Sequence, residues 1–247
     1  MMMSLQELNK KYKISSQGII HAGAHLLEER QAYLSSGVKN IFWIEGNPAL
    51  AGHIRNIIHS SSSPSCEEIF ASTLVDDIGG KKVTFHLAEN TQTSSILSFG
   101  THSQEMPGVA HNGAIDIQTQ RLDQLIEEFG LSGNCFDFLN VDVQGVELRV
   151  IRGLGCHLKH IKWIYTEINL RETYLGCDKL WMLDFYLVFR GFRRKELWLA
   201  TRSWGDAFYE RVNAGGILQG IFPFIKYLSQ NIYFFIGNFL RPLLGMK

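Results

Sequence analysis

Residues 19–45, IIHAGAHLLEERQAYLSSGVKNIFWIE, constrain the fold of this 247-residue chain more than any other stretch. They open with a short apolar strand at Ile19 and Ile20, turn tightly on Gly23, and continue as an amphipathic helix. A second apolar strand, Ile41–Ile44, follows and ends in the carboxylate of Glu45. This is the pattern of a βαβ unit of the nucleotide-binding kind, with a ligand over the turn and an acid about 20 residues on that reaches its ribose. The alternative is an ordinary α/β crossover whose acid is merely solvated.

The turn is also informative for what it lacks. A dinucleotide fingerprint needs a third glycine so that backbone can approach a pyrophosphate, and a P-loop needs Gly-Lys-Ser/Thr. After Gly23 the chain runs Ala24, His25, Leu26, Leu27, with neither. A ligand carrying adenine and ribose but no phosphates fits better, and S-adenosyl-L-methionine is the leading candidate. A nicotinamide-dependent oxidoreductase on a similar sheet is the first rival, disfavoured by the missing glycine. A non-catalytic, membrane-tethered binding module is the second, disfavoured by the retained acids.

Further along, Pro48 suits the first turn of a helix near Ala49–Ile58. A Ser-rich link, Ser60–Ser65, leads to a strand at Glu68–Ala71, and Lys82–Ala88 alternates like an edge strand. Residues 89–113 turn polar, as in a surface excursion of the sort that carries function. Ile115–Thr119 alternates again, and Leu122–Phe129 reads as a short helix. Cys135–Val141 is the strand expected to be covered on both faces, and it delivers Asp142 to the rim where open α/β sheets bind ligands. Val146–Ile151 begins the next helix, with Gln144 and Gly145 shaping the turn before it. Ile161–Ile168 places Glu167 and Asn169 near the same rim. Trp181–Phe189 is a helix ended by Gly191, and the last strands are expected near Phe192–Leu199 and Ala207–Val212. Together these elements predict an α/β fold with a doubly wound, seven-stranded, mostly parallel sheet.

Composition narrows the partners. Lys+Arg and Asp+Glu both number 24, so no global field favours nucleic acid. The four cysteines form no CxxC pair, which argues against a zinc site or disulfide framework and suggests buried, reduced thiols in a cytoplasmic protein. The N-terminal residues lack the apolar core of a signal peptide. His25, His86, His102, His111, His157 and His160 form no pair with metal-ligand spacing, and are expected on the surface or as satisfied core residues. Of these, His102 and His111 lie in the polar excursion and are the two that could touch substrate. Residues 217–246 are dominated by aromatic and aliphatic side chains, with no acid after Glu210. Pro223 and Ser229-Gln230-Asn231 break any run of the ~20 apolar residues that a bilayer span needs. An interfacial membrane anchor, packing on a partner protomer in a homo-oligomer, and folding back over the domain all remain open. The chain thus divides into an N-terminal cap (1–13), one α/β domain (14–212) and an apolar tail (213–247).

Four pieces of this sequence resemble the FkbM family of S-adenosylmethionine-dependent methyltransferases. They are IIHAGAHLLEE with WIEGNP, NTQTSSIL at Asn90–Leu97, the block from Arg121 to Gly153 containing DVQGVE, and YTEIN with SWGDAFY. The resemblance implies a class I methyltransferase sheet with one antiparallel strand, and an acceptor hydroxyl on a sugar, glycan or secondary metabolite. Two positions depart from the family pattern: His21 stands where many members have Asp, and Leu27 where many have a second glycine.

The residue roles follow from chemistry and place in the fold, and, for His21 and for the covering segments with Ser94, Ser95, Trp204, Gly205 and Asp206, from what the resemblance implies. For the cofactor, His21, Gly23 and Ala24 would meet the methionine part, Glu45 the ribose hydroxyls, and Ala71 and Ser72 the adenine. Asp142 is the main candidate at the reacting end, as base, metal ligand or ammonium anchor, with Glu147 and Glu167 beside it. Glu147 could equally be a helix-dipole partner. Ser94, Ser95, Asn169 and Trp204 would line or cover the acceptor pocket, Gly205 and Asp206 belonging to the same covering segment. For Trp204 the competing reading is hairpin packing. A divalent metal on Asp142, Glu147 or Glu167 is chemically allowed but has no support in spacing.

Overall fold

The computed structural model describes residues 5–212 except 62, 102 and 104–107. His102 and the apolar tail, with its membrane, partner and fold-back readings, therefore lie outside the described residues. No helix among the described residues is long and apolar enough to cross a membrane.

Ten strands form in chain order: β1 (Gly18–Ala22), β2 (Asn40–Glu45), β3 (Glu67–Ser72), β4 (Leu74–Val75), β5 (Lys82–Ala88), β6 (His111–Gln120), β7 (Phe138–Val141), β8 (Trp163–Asn169), β9 (Phe192–Leu199) and β10 (Trp204–Arg211). Seven make the main sheet, in the order β3-β2-β1-β7-β8-β10-β9. The pairs β3–β2, β2–β1, β1–β7 and β7–β8 are parallel. Only β10 runs against the rest, paired antiparallel to both neighbours. The expected doubly wound, seven-stranded sheet with one reversed strand is therefore present. The alternating segments at 82–88 and 115–119 join β4 in a separate three-stranded sheet, ordered β4-β6-β5.

Among the described residues, six helices are set out in chain order: α1 (Leu5–Tyr12), α2 (Arg30–Ser35), α3 (Ala51–Ser60), α4 (Leu122–Glu128), α5 (Glu147–Gly153) and α6 (Leu180–Val188). Side chains alternate across the strands and build two cores. Ile20, Phe42 and Leu139 face α4, α5 and α6, while Ile19, Ile41 and Phe138 face α1, α2 and α3. The N-terminal segment does form a helix, and its Leu8 is buried in the second core.

The helix after Gly23 is shorter than its apolar period implies. His25 (φ 42°) and Leu27 (φ 63°) are left-handed, so regular helix starts only at Arg30. Leu27 occupies, with a side chain, a conformation that suits glycine, at the position where the family pattern carries one. The thiols are free as expected, but only Cys177 is buried, Cys156 being exposed and Cys66 and Cys135 half-buried.

Phe42 is fully buried in the strand that ends in Glu45. Phe42→Ala is expected to cost about 3–5 kcal/mol of unfolding free energy in chemical denaturation, by lost burial and a cavity. A loss under about 1 kcal/mol would contradict this packing.

Candidate active site

Chain order reverses between β1 and β7: β1 leads outward to β2 and β3, β7 outward to β8. A crevice opens there at the carboxyl ends of the strands. Its closest point is the crossing of Gly23 and Asp142. The Asp142 N–H donates to the Ala22 carbonyl at 2.9 Å. A Cβ on Gly23, whose φ is 87°, would lie 1.7 Å from the Asp142 carbonyl oxygen. Glycine is thus required by both angle and space. The Gly23 and Ala24 N–H groups both donate to the Ile44 carbonyl, at 2.9 and 3.0 Å.

Above this crossing lies a cavity of about 290 Å³. Glu45 enters it from the end of β2. One carboxylate oxygen accepts the His25 N–H at 2.8 Å and the other the Asn47 N–H at 2.6 Å. Burial pushes its carboxyl above the usual range, and the two donors only partly offset this. Each oxygen keeps a lone pair for a further donor, which is what a ribose diol supplies. Beside it, Ile44, Leu74, Val75 and Phe85 make an apolar wall. Ala71 and Ser72, expected to meet the adenine, end β3 just before this wall. Ala71 is buried in the core, Ser72 is exposed, and neither is on the wall, whereas Thr73, Leu74 and Val75 are.

Acids gather at the other end. Asp142, Glu167 and Asp206 line the cavity. Gln144, left-handed at φ 59°, turns its side chain back onto them. Its amide nitrogen donates to Asp142 at 2.6 Å and to Glu167, and its carbonyl oxygen accepts from the Tyr174 hydroxyl. Glu167 is held far above the usual carboxylate range, first by burial and then by the Asp142 charge, and it shares a hydrogen bond with Asp142. Asp206 is pushed up to about 7, by burial and by Asp142, with a Tyr165 hydrogen bond opposing. Glu147 is fully buried and off the cavity wall. It accepts the Gly145 N–H at 2.7 Å, and burial raises it to about 8.

His21 lines the cavity but is neutral, lowered to about 4 by burial against the pull of Asp142. The Asn140 amide donates to the Tyr33 hydroxyl at 2.7 Å, and that hydroxyl reaches His21 Nδ1 at 3.3 Å. Ala24 is buried off the wall, its N–H turned to Ile44. The segment Asn90–Ile96 closes the cavity over Glu45. Ser94 lines it and accepts the Ala88 N–H at 3.1 Å. Ser95 is off the wall, donating to the Gln144 carbonyl at 2.7 Å and so tying the cover to the turn below. Trp204 lines the cavity, whereas Asn169, its register partner, is fully buried behind.

His25 is satisfied at both ring nitrogens, as expected, but it also lines the cavity. Its Nδ1 lies 2.6 Å from Glu28 and its Nε2 2.7 Å from the Thr91 hydroxyl, clamping cover to turn. Its position between the glycine turn and the NTQTSSIL segment was the available signal. No group of three or more His, Cys, Asp or Glu suited to a metal ion occurs among the described residues.

The donor set fits S-adenosylmethionine. An acceptor-only carboxylate faces where a diol would lie, an apolar wall adjoins it, and clustered acids await a cation. With this strand order, the molecule has the fold of a class I methyltransferase. The family model described as Methyltransferase FkbM domain matches residues 21–194, and the chain belongs to that family. It is 37% identical over 84 residues to the 2-O-methyltransferase NoeI of Sinorhizobium fredii, a match spanning 34% of each chain. The crystal structure of the magnesium protoporphyrin IX methyltransferase of Synechocystis PCC 6803 with bound S-adenosylmethionine overlays with a TM-score of 0.47 at 10% identity. That overlay covers 84% of this chain and 76% of the other.

Glu45→Gln leaves both backbone donors satisfied only in part and removes the charge. Calorimetric affinity for S-adenosylmethionine should fall about 10- to 100-fold, in line with about 1.5–3 kcal/mol for hydrogen bonds to a charged group. Unchanged affinity would remove Glu45 from the site.

Proposed function

We propose that this enzyme methylates a hydroxyl oxygen of a sugar or glycan. The observation that supports this most is the distribution of acids along the rim, with Glu45 alone on β2 and Asp142, Glu167 and Asp206 together on β7, β8 and β10. The similarity to a 2-O-methyltransferase favours oxygen as the acceptor atom.

In this reading Glu45 accepts from the ribose hydroxyls, and Ile44, Leu74, Val75 and Phe85 enclose the adenine. Asp142, positioned by Gln144, holds the cationic end of the cofactor, with His21 as a neutral wall beside it. When bound, the cofactor supplies an activated methyl group on a sulfonium. The protein's part is to align the acceptor oxygen behind that carbon, exclude water, and take up the hydroxyl proton. The cover at Asn90–Ile96 closes the site, and Trp204 faces the acceptor. Glu147 acts from behind, fixing the Gly145 turn. The apolar tail would serve as an interfacial anchor, bringing the site to a membrane-borne glycan.

The reading is tested with methyl-labelled S-adenosylmethionine and a panel of methyl glycosides, followed by mass analysis of the products. Label on a sugar oxygen is expected; label only on nitrogen or carbon acceptors rejects it. Asp142→Asn should weaken cofactor binding and lower turnover together. For the tail, flotation with anionic liposomes should be lost when residues 213–247 are removed, and equal flotation of both forms rejects the anchor.

A further inference from the structure

We infer that Asp206 is the catalytic residue that takes the acceptor's hydroxyl proton, on a ledge where Trp204 receives the flat face of a sugar ring. This rests on the O-methylation reading above. The first argument is position. Asp206 stands directly opposite Glu167 in the antiparallel β8–β10 pair, and Trp204 lies two residues earlier on the same face of β10. All three line the cavity. Strands lie about 4.8 Å apart, so Asp142 is about 10 Å from Glu45 across β1, and Asp206 about 10 Å further on across β8. The cofactor's acid and the acceptor's acid are thereby placed on opposite sides of Asp142.

The second argument is occupancy of the other acids. Asp142 is engaged by the Gln144 amide and by Glu167. Glu167 keeps its proton and shares the same amide, so it has no basic form to offer near neutrality. Glu147 is off the wall. Glu28 and Glu29 also line the cavity but stand at the glycine turn, against His25 and His21, so at the β8–β10 end Asp206 is left as a cavity carboxyl with Tyr165 as its side-chain partner. The groups facing it are Glu167 and Tyr165 from β8, Asp142 and Gln144 from the end of β7, and the uncharged Trp198 from β9. Burial first, and then Asp142, hold its proton affinity near neutral against the Tyr165 hydrogen bond, where a general base is most effective.

The step balances as follows. A lone pair of the acceptor oxygen forms the new bond to the methyl carbon while the carbon–sulfur bond breaks and its electron pair stays on sulfur. The hydroxyl proton passes to the Asp206 carboxylate, which releases it to solvent after product leaves. Because the deprotonated form is the active one and fills as pH rises through about 7, kcat/KM should climb through that range and level off above it.

The test uses the full chain and the methyl glycosides named above. Asp206→Asn should lower turnover by about 100-fold or more, while calorimetric affinity for S-adenosylmethionine stays within about twofold. Asp206→Glu should recover part of the rate with a shifted pH profile, and Trp204→Ala should raise glycoside KM more than it lowers kcat. Independently of any acceptor, the carbon-13 carboxyl signal of Asp206 should titrate near neutral. Turnover of Asp206→Asn within about threefold of wild type, or a carboxyl titrating in the ordinary aspartate range, overturns the inference. If no glycoside is methylated, the O-methylation reading fails by itself, and the carboxyl titration still judges Asp206.

Discussion

The backbone crossing of Gly23 and Asp142 is the constraint on which the site depends. Two parallel strands that lead their chains in opposite directions leave a crevice only if the turns leaving them clear each other. Here they clear by the width of a missing side chain: a Cβ at Gly23 would overlap the Asp142 carbonyl. The contact sets how deep the cofactor turn can sit. It also brings Ala22 and Asp142 into one hydrogen-bonded register, so the acids at the ends of β2 and β7 face one cavity. The two N–H groups that could have met a ligand here are consumed by Ile44, so the turn offers shape rather than donors. That distinguishes it from a phosphate-binding loop, whose free N–H groups are its function.

With no cation among them, the clustered acids are stable because most are not charged. Burial and mutual repulsion let Glu167 and Glu147 keep their protons at neutral pH, and Gln144 spends both amide hydrogens bridging Asp142 to Glu167. A positive ligand brought against Asp142 would be met by carboxyl and amide groups already held in place by Gln144. Such preorganisation costs little at the moment of binding.

Much of this was legible from residues alone, and what was not has identifiable reasons. Gly23, Glu45 and Asp142 could be read because each sits where a strand ends, and strand ends follow from apolar runs. The seven-stranded, mostly parallel sheet matched expectation for the same reason, while the reversed strand was what the family resemblance implied. Left-handed backbone at His25 and Gln144 leaves no trace in a periodicity, since neither is glycine, so their side chains were not expected to turn into the cavity. The apolar wall at Leu74 and Val75 was not read because β3 ends at Ser72 and Leu74 already belongs to the strand that joins β6. Asp206 was read only as covering, since its importance lies in an antiparallel register that no local pattern encodes.

The inserted sheet explains how a rim built for one ligand becomes a closed chamber. Its β5 strand ends in Ala88, and the chain turns back through the Thr91–Thr93 turn to pair Ser95 with His86. From there it runs to Phe99, which bridges Tyr174, while Tyr174 reaches Gln144. The cover is therefore fastened at three places: to the glycine turn through His25 and Thr91, to the β7 turn through Ser95, and to the loop after β8 through Tyr174. Each fastening ends on a residue that positions an acid, because His25 donates to Glu45 and Gln144 holds Asp142 and Glu167. The cover therefore shares contacts with the residues that hold the acids at both ends of the cavity.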